Sequence, residues 1–275
     1  MYRILRIELK RALCNKFFYF SLIVTLIFCM LHFFDAYESR MEYLELCEYY
    51  NYSKMLYTCE GTPYDQWFLM DESIYKFIYL FIMPLLVTIP YGASYYQDYK
   101  SGYIKQIVTK VNYKKYMTAK YLSTFISAGL TAVIPMIIQF MAMAMIYPIH
   151  NPSIYVSKLV SERLLLFYVY YEQPVLYLLI VLGTLFICAG IFSTIALLVS
   201  RYISNYFSVI ITPFIAAFFM TFLSYILGIN ELSPMMFLKA NLQVEYNYAI
   251  PLVCMLVLFF ASYIGFIKSH KEEVL

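Results

Sequence analysis

Residues 175–199 read VLYLLIVLGTLFICAGIFSTIALLV, a run without a single charged side chain. A helix rises 1.5 Å per residue, so about 20 predominantly apolar residues cross the hydrocarbon core of a bilayer. The run therefore predicts a transmembrane helix.

Five further runs have the same character, because each is long, apolar and nearly free of charge. Membrane helices tolerate the prolines that several of them contain. The sequence predicts an all-α membrane protein whose 275 residues form a single transmembrane domain, 1–275. The six predicted spans are residues 17–34, 74–96, 119–147, 175–199, 206–228 and 249–267.

Bulk composition agrees with a membrane protein. Hydrophobic residues make up 63% of the chain and charged residues only 13%, against about 25% charged in an ordinary soluble domain. The net charge of +3 is too small to indicate a nucleic-acid partner.

The distribution of basic residues predicts the orientation. Fourteen Lys and Arg flank the spans on one side and five on the other, and the side richer in basic residues is normally cytoplasmic. We therefore expect both termini in the cytoplasm. Residues 1–16 place Arg3, Arg6 and Lys10 on one helical face and leucines on another, which predicts an amphipathic interfacial helix. A solvated basic leader is the alternative.

The predicted outer loop, residues 35–73, is acidic and aromatic. It carries nine Asp or Glu and the only tryptophan, Trp67. It is either a small solvated cap or a vestibule that attracts a cationic peptide. Cys47 and Cys59 both lie in it and could form a disulfide if the loop is extracytoplasmic. The second outer segment, 150–175, is either an interfacial helix or a short buried strand.

Motifs for catalysis are missing from the sequence. It has no phosphate-binding P-loop and no dinucleotide glycine fingerprint,. His32, His150 and His270 are far apart near span edges, so they predict interfacial or solvated histidines and no metal site. We therefore expect this chain to be no enzyme and to bind no cofactor itself.

The most specific stretch is the predicted cytoplasmic loop, residues 97–118, with its flanks: YYQDYKSGYIKQIVTKVNYKKYMTAKYLS, residues 95–123. Gly102 permits a tight turn or a close backbone approach. Ile104 and Ile107 follow at helical spacing, with lysines facing elsewhere. On chemistry alone this is a short amphipathic helix at the inner surface, either an anchor to lipid headgroups or a docking element.

An acid, a glycine four residues on, an apolar pair, a basic stretch and an Ala-Lys pair resemble the signature of ABC-2-type permeases. These are the membrane subunits of ATP-binding cassette exporters. Where that family often has Glu and Gly-Thr, this chain has Asp98 and Gly102-Tyr103. The matching positions are Asp98, Gly102, Ile104, Ile107, Tyr113, Lys114, Tyr116, Ala119 and Lys120.

The resemblance implies a type V exporter-like architecture in the bacterial cytoplasmic (plasma) membrane. Two copies of a separate ABC ATP-binding subunit would hold ATP and Mg, and a second permease, identical or related, would complete the dimer. The cargo would be a hydrophobic or amphipathic peptide, a lantibiotic-like toxin or a drug. The residues implied in coupling to the ATPase subunit are Asp98, Tyr99, Ser101, Gly102, Tyr103, Ile104, Lys105, Ile107, Lys114 and Lys120.

The alternative hypothesis is a non-transporting immunity or sensing protein. It would bind a cationic peptide through the acidic outer loop, without ATP. Cargo, transport direction and the identity of the second permease are open at this point.

Overall fold

A computed structural model of the protein describes residues 2–50, 61–153, 166–239 and 248–268. These residues form helices joined by turns, with a short 3-10 helix at Asn230–Leu232. The α-helices are α1 (Tyr2–Leu13), α2 (Lys16–Tyr49), α3 (Ile74–Leu86), α4 (Ser94–Lys100), α5 (Tyr103–Val108), α6 (Tyr113–Ile146), α7 (Phe167–Glu172), α8 (Pro174–Val199), α9 (Tyr206–Leu227), α10 (Pro234–Phe237) and α11 (Ala249–Lys268).

Five of the helices are long and apolar enough to cross a membrane: α2, α6, α8, α9 and α11. They confirm five of the six predicted spans and identify a multi-pass, all-helical membrane protein. Much of their apolar surface is exposed outside the bundle, as lipid-facing helices require.

The predicted span 74–96 is not one continuous helix. α3 has 13 residues and rises only about 20 Å, against the roughly 30 Å of a hydrocarbon core. Hydrogen-bonded turns then lead to α4. Pro90 has no N–H to continue a helical ladder. At Gly92 a Cβ atom would lie 2.5 Å from Thr88 Cγ2 and 3.2 Å from Ala196 Cβ, so a larger residue would disturb this tight passage beside α8.

The predicted outer loop, 35–73, is not a solvated loop in either of its described parts. α2 continues to Tyr49, about four turns past the end of the predicted span. Residues 35–49 contain no Pro or Gly, so the sequence has no signal that would end the helix there. After the undescribed 51–60, residues Trp67 to Met70 are almost wholly buried in the main core. The Trp67 indole N–H donates to Met136 O at 3.1 Å.

α6 and α8 form the centre of the bundle and pack through two reciprocal contacts. The ring of Phe125 on α6 covers Gly190 on α8, and the ring of Phe186 on α8 covers Gly129 on α6. A Cβ at either glycine would lie 2.4 Å from the opposing ring. Each of these glycines therefore pairs with an aromatic ring of the other helix.

The second outer segment, 150–175, is described only in part. Residues 166–175 contain the short helix α7, whose Phe167, Tyr170 and Tyr171 are buried, and Pro174 occupies the first turn of α8. Residues 154–165 lie outside the described part, so the prediction of an interfacial helix stays a prediction there.

One end of the bundle gathers most of the basic residues, and we call it the basic end. α1, α4 and the first turns of α6 meet there through ion pairs. Arg201, in the turn between α8 and α9, donates to the Phe266 backbone carbonyl of α11 and to Tyr113 Oη at the start of α6. This is the end that the charge bias predicts to be cytoplasmic.

Candidate functional site: a buried charge cluster at the basic end

Three helices that are distant in sequence contribute charged side chains to one buried site. α1 supplies an acid and a base, α4 supplies an acid, and α6 supplies a base. Two tyrosine hydroxyls complete the hydrogen bonding. We call this group the charge cluster; its members are Glu8, Arg11, Tyr91, Asp98, Tyr116 and Lys120.

Lys120 lies at the centre of the charge cluster and is 0% exposed. Its Nζ donates to Asp98 Oδ2 at 2.5 Å, to Glu8 Oε2 at 3.1 Å and to Tyr91 Oη at 3.1 Å. An ammonium group has three N–H donors, so all three are used. Tyr91 Oη in turn donates to Glu8 Oε2 at 2.6 Å.

Arg11 closes the charge cluster on its solvent side. Its Nη2 donates to Asp98 Oδ1 at 2.6 Å, and its Nη1 donates to Glu8 Oε1 at 2.9 Å and, more weakly, to Asp98 Oδ2 at 3.3 Å. The guanidinium also lies 4.5 Å from the ring centroid of Tyr103 in α5. The side chain is 37% exposed, so Arg11 is the one base of the cluster that reaches water.

The surroundings of Asp98 keep its carboxyl ionised. Burial acts to raise its pKa, but the charge of Lys120 and the hydrogen bonds from Arg11, Lys120 and Tyr116 outweigh burial and hold the pKa below its ordinary value. Tyr116 Oη donates to Asp98 Oδ2 at 2.6 Å. Two acids and two bases then balance one another, as buried charges require.

The ten residues implied in coupling divide between the interior and the surface. Asp98 and Lys120 are inside the charge cluster, and Ile104 is buried in an apolar cluster with Tyr116, Met117 and other side chains. Gly102, Tyr103 and Ile107 are half-buried. The exposed members are Tyr99, Ser101, Lys105 and Lys114.

Gly102 separates α4 from α5 and has a left-handed backbone, with φ 72°. A side chain strains this conformation, although a Cβ there would meet no atom within 4 Å. The chain therefore turns sharply at Gly102, and α5 follows with Ile104 as its buried anchor.

Sequence reasoning missed Glu8, Arg11 and Tyr91 as site residues. The signal for Glu8 was present: it lies between Leu5, Leu9 and Ala12 on the face of α1 that packs inward. An acid on an apolar helix face must find a buried base. The periodicity of α1 does not tell which base that is.

A second buried polar network lies at the opposite end of the bundle. His32 Nε2 is 3.0 Å from Asp71 Oδ2, and His32 Nδ1 is 3.2 Å from Gln139 Nε2. Gln139 Oε1 accepts from the Phe68 backbone N–H at 3.2 Å. The interpretation of His32 as solvated is therefore wrong, since it is 2% exposed; the folded-back segment that carries Phe68 and Asp71 covers it.

Asp71 responds to this histidine. Burial acts to raise the pKa of its carboxyl, but the hydrogen bond and charge of His32 hold the pKa below its ordinary value.

Of the two cysteines that the sequence allows to form a disulfide, only Cys47 lies within the described residues. Cys47 is buried near the end of α2, and Cys59 lies outside the described residues. Within the described ranges, no group of three or more His, Cys, Asp and Glu side chains could hold a metal ion.

The chain matches no protein-family model, no curated protein and no solved structure.

Proposed function

We propose that this chain is the membrane-spanning permease subunit of an ATP-driven ABC exporter in the bacterial plasma membrane, with a hydrophobic or amphipathic peptide, lantibiotic-like toxin or drug as cargo. One observation carries the proposal: the charge cluster lies directly behind the exposed α4–α5 turn and fastens it to a long membrane helix. The resemblance of residues 98–120 to the permease signature adds the identity of the partner.

The exposed side of the α4–α5 turn is the surface that the ATP-binding subunit would contact. Tyr99, Ser101 and Lys105 are accessible there, and Lys114 follows at the start of α6. The partner would close when it binds nucleotide. If its closed form binds one conformation of this turn more tightly than another, closure shifts the permease between states. ATP and Mg would be held by two copies of that partner.

Force on the turn would reach the membrane through the charge cluster. Each charged side chain moves with the helix that carries it: Asp98 with α4, Lys120 with α6, and Glu8 and Arg11 with α1. Pulling one buried charge from its partners costs several kcal/mol. The three helices are therefore expected to move as one body, which converts a push at the surface into a displacement of α6.

The proposal is tested by purifying the chain in detergent from its native cell and identifying the proteins bound to it. We expect stoichiometric recovery of an ATP-binding subunit with vanadate-sensitive hydrolysis, and recovery of a second permease chain. Lys105→Glu should weaken recovery of the ATPase, whereas the same reversal on the exposed face of α1, Arg6→Glu, should not. A chain that purifies without any ATPase would contradict the proposal.

A second candidate function has its own observation. The part of α2 that follows the predicted span carries an exposed acidic ridge. Its first four members repeat at i, i+3, i+7 and i+10 and share one helical face. Its members are Asp35, Glu38, Glu42, Glu45 and Glu48.

Such a ridge would attract a cationic peptide, as the sensing or immunity hypothesis requires. Replacing Glu38, Glu42 and Glu45 with glutamine should abolish peptide binding that does not depend on ATP, if this is the function. Unchanged binding would leave the exporter as the function to pursue.

A further inference from the structure

A pocket of about 360 Å³ opens at the basic end, and no member of the charge cluster lines it. Its volume falls within the range of about 300–1,000 Å³ that is usual for small-molecule sites. α4 forms one wall and the turn between α8 and α9 forms the other. The lining residues are Tyr96, Tyr99, Lys100, Ser200, Arg201, Tyr202, Ile203 and Ser204.

A hydrogen bond joins the two walls, so the pocket is a fixed part of the fold. Tyr96 Oη donates to the Ser204 backbone carbonyl at 3.0 Å and bridges α4 to the α8–α9 turn. Arg201 anchors the turn from beneath by donating to Tyr113 Oη at 2.8 Å and to the last carbonyls of α11.

The pocket is cationic, and its charge is not neutralised by an acid of the described residues. Arg201 donates only to uncharged oxygens there, and its Nε is buried without a hydrogen-bond partner. Lys100 is exposed, and its Nζ lies 5.8 Å from the Tyr96 ring centroid. The lining residues include two bases and no Asp or Glu.

The position of the pocket relative to the membrane limits which anions it can bind. α8 ends at Val199 and α9 begins at Tyr206, and both are long enough to span. A six-residue turn between two spans lies at the level of the lipid headgroups, whichever way the protein faces. A phosphate diester is the anion concentrated there, and Lys, Arg and hydroxyl groups are the donors that bind phosphate.

We infer that this pocket binds a phosphate group, and that an anionic phospholipid headgroup of the adjoining leaflet supplies it. The phosphate would sit between Lys100 and Arg201, with Ser204 beside it. Because Lys100 ends α4 and Arg201 joins α6, α8 and α11, the headgroup would bridge the α4 wall to the three spans by charge as well as by the Tyr96 hydrogen bond. This inference does not depend on an ATPase partner.

Native mass spectrometry of the purified full chain in detergent tests it, with phosphatidylglycerol and phosphatidylcholine as the probe lipids. We expect phosphatidylglycerol to bind more tightly. Lys100→Gln should weaken its binding about five-fold, the effect of one cation near an anionic headgroup. Ser204→Glu, which places a negative charge in the same pocket, should remove the preference for phosphatidylglycerol.

Lys115→Gln is the matched control, because Lys115 is exposed at the same end of the bundle but does not line the pocket. Equal losses in Lys100→Gln and Lys115→Gln would overturn the inference, since they would show attraction by overall charge. Equal affinity for the two lipids in the parent protein would overturn it too. If inorganic phosphate at equal concentration displaces phosphatidylglycerol, the pocket binds phosphate, but its ligand is a soluble phosphate compound and the assignment to a lipid is overturned.

Discussion

The Nζ atom of Lys120 lies 2.5 Å from Asp98 Oδ2, and neither side chain is more than 3% exposed. The two residues come from different helices and are buried, so each depends on the other and on Glu8 and Arg11.

Removing the central base should be the most damaging change in the charge cluster. Lys120→Met leaves Glu8 and Asp98 close together with only Arg11 to balance them, and breaking a buried ion pair in this way costs about 3–5 kcal/mol. Thermal unfolding in detergent should show a large loss of stability. Lys115→Met, at an exposed site on the same helix, should show almost none. Equal effects would mean that Lys120 is not buried in an ionic network.

The partners of Lys120 should be coupled to it. Glu8→Gln alone leaves the positive charges in excess, but in the Lys120→Met background it removes an acid that has already lost one of its two bases. We expect the double variant to be more stable than the sum of the two single effects predicts. Additive effects in this double-mutant cycle would argue against direct contact between Glu8 and Lys120.

The lowered pKa of Asp98 predicts a particular response to acid. A carboxyl whose pKa is lower in the folded protein contributes stability that is fully present above its ordinary pKa of about 4, and loses it as the pH falls through the folded pKa. The parent protein should therefore lose stability below about pH 4 more steeply than Asp98→Asn. The variant should be less stable at neutral pH. Parallel pH profiles would contradict the assignment.

The reciprocal contacts between α6 and α8 predict a sharp difference among glycines. Gly129→Ala and Gly190→Ala place a methyl group against Phe186 and Phe125, and overpacking of this kind costs about 1–3 kcal/mol,. Gly183→Ala on α8 has open space around it, so it should be neutral or slightly stabilising. Unfolding of the three variants measures this, and a destabilised Gly183→Ala would show that the effect belongs to the helix itself.

The left-handed backbone at Gly102 predicts which substitutions are tolerated. Valine should strain the α4–α5 turn by about 1–2 kcal/mol, whereas asparagine, which adopts this conformation more readily, should be accepted. Under the proposed function, Gly102→Val should lower recovery of the ATPase subunit and Gly102→Asn should retain it. Similar recovery with both variants would separate the turn from the partner.

Hydropathy was enough to predict five of the long helices, because each of their spanning runs is predominantly apolar. Hydropathy failed where the apolar or polar character of a segment did not determine its backbone conformation. Residues 74–96 are predominantly apolar, yet Pro90 and the tight passage at Gly92 interrupt the helix. Residues 35–49 are polar, yet they stay helical because a helix leaving the membrane can continue in water when nothing stops it.

The charge cluster could be predicted only in part. The sequence singled out Asp98 and Lys120 within one stretch of the chain, and both belong to the charge cluster. Glu8 and Arg11 joined them through the fold, with Glu8 112 residues from Lys120. A helical pattern identifies which face of α1 is inward, but only tertiary packing decides what that face meets.

α6 carries a buried polar residue near each of its ends, Lys120 at the basic end and Gln139 in the His32 network. At 1.5 Å per residue they are about 28 Å apart along the helix axis, close to the thickness of a bilayer's hydrocarbon core. Each is tied to segments outside the spans. Hydrophobic mismatch therefore acts on both networks together: in a thicker membrane, the polar segments tied to each network would be drawn towards the lipid tails, and thinning the bilayer locally would cost less than dismantling either network.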